Sequence, residues 1–215
     1  MHLLNELKIW LETHMPEVAA DLLPGATEEE LQEFSASIGI ELPDQFRQLY
    51  AWHNGQGMTI NAGPWYGLNF LPLPRVQHEC EMWRQVLKES SPESLIDLNN
   101  TMESTPPRFV RRQYANERWI PFAYDCGGNY LGIDLDPDDE GTFGQVINFG
   151  RDEERKIAVA TSINAFIGWM LNELKAGNFN IKIENDGGNS FNTLRPEKYH
   201  FLDSLALIFP RDGLK

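Results

Sequence analysis

Trp119-Ile-Pro-Phe-Ala-Tyr-Asp-Cys-Gly-Gly-Asn-Tyr-Leu-Gly-Ile-Asp-Leu-Asp-Pro-Asp-Asp-Glu-Gly-Thr-Phe-Gly-Gln-Val-Ile-Asn-Phe149 is the stretch that decides the fold. It reads as three strand segments joined by two turns. Trp119 to Ala123 is the first segment, and Tyr124 to Asn129 turns it. In the second, Leu131, Ile133 and Leu135 alternate with Gly132 and Asp134, the period of a half-buried strand. Asp136-Pro-Asp-Asp-Glu-Gly141 breaks that segment. Thr142 to Phe149 supplies the third, with Phe143, Val146, Ile147 and Phe149 as its apolar content. A meander of adjacent strands follows. Gly127 and Gly128 favour a tight first reversal, because glycine takes positive φ without a Cβ clash. The second turn gathers Asp134, Asp136, Asp138, Asp139 and Glu140, whose mutual repulsion predicts a projecting, solvated acidic knuckle.

Outward from this stretch the chain alternates helices and loops. Leu3, Leu7, Trp10 and Leu11 share one face of an amphipathic helix over residues 2 to 13, which Pro16 ends or restarts. Thr27 and Glu30 stand at capping-box spacing before a helix over 28 to 38 that Gly39 closes. Leu42-Pro43 opens a third helix, over 44 to 54, and Asn54-Gly55 stops it. Residues 55 to 73 read as a Gly-rich loop ending in a short strand near Tyr66 to Leu71. Val76, Cys80, Trp83 and Leu87 predict a helix over 75 to 89 with one buried stripe.

Residues 91 to 116 lose the pattern and read as an insertion or lid, partly ordered at best, with a basic patch of Arg108, Arg111 and Arg112. In an acidic protein, intramolecular partners are expected for these arginines. Ile157 to Ala160 is a short strand near the sheet edge. A helix over 162 to 175 turns Ile163, Phe166, Ile167, Met170 and Leu174 inward. Phe179 to Ile183 alternates like an edge strand, Asn185 to Asn189 is loop, and Tyr199 to Leu207 forms one more helix. The expected division is an N-terminal helix over 1–24, a main domain over 25–177 and a C-terminal extension over 178–215.

The chain has 215 residues, 41% of them hydrophobic, enough to fill a core. Eighteen basic against 32 acidic residues leave a formal charge of −14, which repels phosphate backbones and anionic lipid. Nucleic-acid and membrane partners are therefore not expected, and a basic protein partner is. Cys80 and Cys126 stand apart from any Cys-x-x-Cys or Cys/His cluster and read as free thiols of a reducing compartment; a single disulfide or a redox thiol is the alternative. No apolar run approaches the length of a membrane span, which places the protein in the cytoplasm.

Chemistry is scarce. No Gly-x-Gly-x-x-Gly, Walker loop, Gly-x-Ser-x-Gly or His-Glu-x-x-His occurs. His53 suits a general base or simply a helix C-terminus. The series Asp134, Asp136, Asp138 resembles a calcium loop, but Asp139 stands where glycine is needed and Gln145 where glutamate is needed. Trp52, Trp65 and Tyr66 flank a Gly-rich loop and either stack a ligand or close the core. The expectation is no enzyme, no catalytic residue, no metal and no cofactor.

Several stretches in order carry a resemblance: Thr27 to Ile38, Leu42-Pro-Asp-Gln-Phe46, Trp52-His-Asn-Gly55, Phe70-Leu-Pro-Leu73, Trp119-Ile-Pro-Phe122, Asp125-Cys-Gly-Gly-Asn129 and Leu135-Asp-Pro137 through Gly144-Gln-Val146. Together they resemble the SUKH superfamily, in its branch similar to fungal cell-wall-synthesis regulators of the Smi/Knr type, over roughly residues 25 to 175. The resemblance implies an α+β domain, a mostly antiparallel sheet with helices packed against it, that binds proteins. Bacterial members look like immunity proteins against toxins, often nucleases, and fungal members like regulators of wall synthesis. The immunity role is the first expectation and wall regulation the second. The expected partner-binding residues are Asp134, Asp136, Asp138, Asp139 and Glu140, helped by Asp152 and Glu153, with Trp65 and Tyr66 as aromatic anchors for a basic toxin domain.

Overall fold

The computed structural model describes residues 1–57, 59, 60, 62–183, 189–198 and 200–209. α1 (His2–His14) buries Leu4, Leu7 and Leu11 at helical spacing, and Pro16 restarts the helix as α2 (Pro16–Asp21). α3 (Glu28–Ile38) has the predicted reciprocal cap: Thr27 Oγ1 accepts from the Glu30 amide at 3.2 Å, and the Glu30 carboxylate accepts from the Thr27 amide at 2.7 Å. Leu31, Phe34 and Ile38 are its buried face, and Gly39 ends it at φ 67°. After α4 (Asp44–Trp52) come β1 (Asn69–Phe70), α5 (Leu73–Glu89), α6 (Pro92–Thr101) and β2 (Glu103–Thr105). Next are β3 (Trp119–Tyr124), β4 (Asn129–Asp134), β5 (Gln145–Gly150) and β6 (Arg155–Ala160). α7 (Ile163–Lys175), β7 (Asn180–Ile183), β8 (Asn189–Asn192) and α8 (Phe201–Ile208) complete the order.

The sheet runs β1-β3-β4-β5-β6-β2, antiparallel throughout except that β2 lies parallel to β6. The architecture is the expected α+β one. Trp119, Leu131, Ile133 and Phe149 are buried. The alternation in β4 has a different cause from the expected one, because every residue of β4 and β5 is buried and neither face meets water. On one face Phe122 packs on Phe166 of α7; on the other Tyr130 meets Trp83 of α5. Gly132 is glycine for room: a Cβ there would stand 2.4 Å from the Ile120 carbonyl oxygen and 2.6 Å from the Phe149 ring. The absent side chain lets Phe149 stack on Tyr130 with ring centres 5.4 Å apart.

Four expectations change. Phe143 lies outside β5 and is 57% exposed, since the strand begins only at Gln145. In the first reversal positive φ falls on Cys126 (64°) and Gly128 (101°), not on Gly127, because the Asp125 carboxylate accepts the amides of Gly127 and Asn129 and sets the turn. The insertion is built of regular structure: α6 starts at a Ser91 cap, and β2 extends the sheet beside β6. β7 pairs with β8 in a separate two-stranded sheet and does not edge the main one. The predicted loop at Asn185 to Asn189 lies outside the described residues up to 188, and Asn189 belongs to β8.

One continuous core runs from Leu4 of α1 to Phe209 after α8, so the N-terminal helix and the C-terminal extension share it. Both cysteines are free, Cys80 buried and Cys126 exposed. Among the described residues no helix is long and apolar enough to cross a membrane.

Candidate interaction surface

The acidic knuckle is half enclosed. Asp134 is fully buried at the end of β4, where it accepts from Trp119 Nε1 at 3.1 Å, Gln145 Nε2 at 2.9 Å and the Asp136 amide at 2.9 Å. Burial pushes its carboxyl up to about 6 against those bonds. A partner cannot touch it. The side chains that surround it come from cross-strand neighbours, Trp119 on β3 and Gln145 on β5.

The rest of the knuckle is joined to the insertion. Arg108 reaches Asp139 at 2.8 Å and Glu140 at 3.4 Å, and Arg111 reaches Asp136 at 3.0 Å. Backbone bonds hold the same seam, Asp138 amide to Phe109 carbonyl at 3.2 Å and Glu140 amide to Arg108 carbonyl at 3.0 Å. Gln145 Nε2 donates to the Phe109 carbonyl at 2.8 Å as well. Arg112 donates to the Met102 carbonyl at 2.7 Å. All three arginines therefore find the internal partners expected of them. Four carboxylates against two guanidiniums leave this loop two net negative charges.

Asp152 and Glu153 do not join that surface. They lie in the β5–β6 turn beside Asn129 and Gly150, whereas the knuckle follows Asp134 and Gln145 at the far end of the same strands. Five residue steps separate the two ends, about 17 Å. Asp152 pairs with Arg151 at 2.9 Å, which holds its carboxyl low. Glu153 is half-buried, its carboxylate accepting from Asn148 Nδ2, and burial pushes it up to about 7. Its backbone carbonyl accepts from Lys156 Nζ at 2.6 Å; Lys156 is wholly buried over the Trp119 ring, and burial drives its ammonium down to about 8.

Trp65 and Tyr66 are not surface anchors. They are 0% and 1% exposed, because Trp65 packs on Phe70 and Phe122 while Tyr66 packs on Phe191 and Phe201 and donates to the Asn178 carbonyl at 3.0 Å. They close the core over β1 and tie the tail to it. His53 follows α4, and its Nδ1 pairs with the Leu23 carbonyl oxygen; burial lowers its imidazole below the ordinary range. That contact fastens the Leu23–Pro24 loop to α4. A groove of about 340 Å³ lies between α3 and the start of α5 beside Phe34, Glu33 and Gln77. Four of its polar residues are already engaged: Glu30 in the α3 cap, Asn54 Oδ1 with the Leu73 amide, Ser37 with the Phe34 carbonyl and Gln77 with Glu81. Among the described residues no three His, Cys, Asp or Glu side chains converge as metal ligands.

Apolar side chains also reach the surface in the segment that follows α5. α6 has no buried residue, Ile96 is 59% exposed, and Leu95 and Leu98 are half-exposed. In the last turn of α5, Val86 and Leu87 are half-exposed too, so the predicted buried stripe ends at Trp83. Those five side chains lie within about two helical turns of the Ser90–Ser91 link.

Similarity to known proteins follows the fold. The chain is 30% identical to KNR4/SMI1 homolog 2 of Debaryomyces hansenii over 86% of this chain and 37% of that protein. It is 28% identical to the cell wall assembly regulator SMI1 of Saccharomyces cerevisiae, over 85% of this chain and 42% of the relative. With the cell wall biosynthesis/cell cycle regulator smi1 of Schizosaccharomyces pombe it shares 30% identity, over 91% and 40%. The chain thus spans about two fifths of the length of the curated relatives it matches. Residues 25–169, from the loop before the α3 cap into α7, match the SMI1/KNR4 family (SUKH-1), and the chain belongs to that family.

Proposed function

We propose that this chain is a non-enzymatic protein-interaction module that acts in the cytoplasm in the regulation of cell-wall synthesis or signalling. The observation that carries the reading is the family membership together with the relatives' own names, which speak of wall assembly and wall biosynthesis. Wall regulation thereby takes precedence over toxin immunity, whose support is the net charge of −14 and its fit to a basic toxin domain. The non-enzymatic part is supported by His53, whose ring is tied to the Leu23 carbonyl and positioned to fasten a loop.

The test is a chimera. The matching region of the Saccharomyces cerevisiae regulator is replaced by this chain, and resistance of the cells to a wall-digesting enzyme is compared with cells carrying the native region or lacking it. The proposal expects restored resistance, and the same restoration by a His53→Ala chimera. Abundant chimera that leaves the cells as sensitive as those lacking the region contradicts the wall-regulation role. Loss of function in His53→Ala with an unchanged melting temperature contradicts the non-enzymatic role.

A further inference from the structure

We propose that the groove between α3 and the start of α5 docks an arginine side chain presented by a protein partner. The inference rests on the interaction-module reading and names its surface.

Two helix faces that pack together make the groove. Glu30, Glu33, Phe34 and Ser37 line it from α3 at i, i+3, i+4 and i+7, one side of that helix, and Leu73, Pro74 and Gln77 line it from the first turns of α5. Its walls are tied at both ends. Asn54 Oδ1 accepts the Leu73 amide at 3.0 Å, and Arg84, farther along α5, donates to the Ile38 carbonyl at the end of α3. A cleft shaped in advance lowers the ordering cost of binding. At about 340 Å³ it stands near the lower end of the range for ligand sites, with room for one long side chain.

The hydrogen-bond inventory selects the occupant. Glu33 is exposed and, among the described residues, holds no ion pair and no side-chain hydrogen bond, so both its oxygens are open. Glu30 spends Oε2 on the Thr27 amide, and Gln77 donates through Nε2 to Glu81 at 2.9 Å, which leaves the Oε1 atoms of Glu30 and Gln77 as further acceptors. Against them the lining offers one uncommitted side-chain donor, Asn54 Nδ2, and no Lys, Arg or His. Two carboxylates are too few to hold a metal ion, and a second copy of a chain at −14 is repelled. An acceptor-rich, negatively charged wall calls for a cation with several donors. Phe34, Leu73 and Pro74 supply apolar surface for an aliphatic stem. Arginine has both, a planar fork of five N–H donors on a three-carbon stem, and its guanidinium is less hydrated than the ammonium of lysine.

The experiment follows backbone amide NMR shifts of the full chain at physiological salt while a small probe is added. Three probes separate charge from stem: N-acetyl-arginine methylamide, its uncharged citrulline counterpart, and methylguanidinium, which keeps the charge without the stem. The arginine probe is expected to shift the amides of residues 33–37 and Gln77, and the other two to bind at least ~5-fold more weakly. Glu33→Gln is expected to weaken the arginine probe at least ~5-fold, and Glu33→Lys to abolish its binding. Because Glu33 is exposed, the melting temperature stays unchanged in both. Joint Asp136→Asn, Asp138→Asn, Asp139→Asn and Glu140→Gln replacement is expected to bind as the unaltered chain does. Equal binding of the arginine and citrulline probes, no effect of Glu33→Gln, or shifts centred on the 136–140 loop overturns the proposal. A chimera that protects cells beside Glu33-independent binding leaves the module reading standing and refutes this groove; a failed chimera beside retained, Glu33-dependent binding does the reverse.

Discussion

The meander over 119–150 and the insertion over 92–116 adjoin in space and are held by different forces. In β4 and β5 every residue is buried, and the contacts are rings and aliphatic side chains packed from both faces of the sheet. The insertion buries less, chiefly Met102, Val110 and Ala115, and adds to that burial a set of hydrogen bonds and ion pairs: Arg155 Nε to Thr105 Oγ1 at 2.8 Å, Gln145 to the Phe109 carbonyl, and the arginine contacts to the acidic loop. Burial makes one region insensitive to salt and costly to alter. Polar seams fix the position of the other, and α6, which buries nothing, is the part of it that is cheapest to open.

The largest expected effect lies in the meander. Truncating Ile133, 1% exposed, to alanine is expected to cost ~2–5 kcal/mol in denaturant unfolding. A cost near zero would mean that β4 is not core.

Next comes a pH effect at the seam between the regions. Burial holds the Asp134 carboxyl at about 6, above its ordinary value, so the folded chain retains that proton more tightly than the unfolded one. The stability contributed by Asp134 is complete below about pH 4 and is lost as pH rises through about 6. Asp134→Asn keeps the shape and removes the titration. Relative to that variant the unaltered chain is expected to lose about 2–3 kcal/mol between pH 4 and pH 7. A stability difference that does not change with pH breaks the assignment.

A smaller loss is expected at Asn148. Its Nδ2 donates to the Arg155 carbonyl at 3.0 Å, and its Oδ1 accepts the Ile157 amide, across the β5–β6 turn. Asn148→Ala strands both buried groups and is expected to cost ~1–3 kcal/mol in the same unfolding assay. Smallest is Arg111→Ala, at a half-exposed ion pair with Asp136, expected to change stability by under ~1 kcal/mol and to matter less as salt rises. A loss at Arg111 larger than at Asn148 would invert the comparison.

Those differences also explain what could be read from residues alone. The α3 cap was legible because Thr27 and Glu30 act on each other within three residues. The inward face of α7 was legible because Ile163, Phe166, Ile167, Met170 and Leu174 repeat at the helical period, and all five are buried. The acidic site is not legible in the sequence because solvent exposure is a tertiary property. Asp134 looks like its neighbours in sequence, yet Trp119 and Gln145 enclose it from adjacent strands. Trp65 and Tyr66 sit in a Gly-rich run that suggested surface, while the rings that bury them come from Phe122, Phe191 and Phe201 far along the chain. Asp152 and Glu153 share only their charge with the knuckle, and strand register puts them at the other end. Ser91-Pro92-Glu93 already has the form of a helix start, and the prolines around it obscured the signal.

Native-state hydrogen exchange on the whole chain tests the central contrast most directly, because it reads the opening free energy of each segment separately. The amides of β4 and β5 are expected to exchange only through global unfolding, and those of α6 through local opening at least ~100-fold more frequent. Equal protection of α6 and β4 in the free chain would contradict the account.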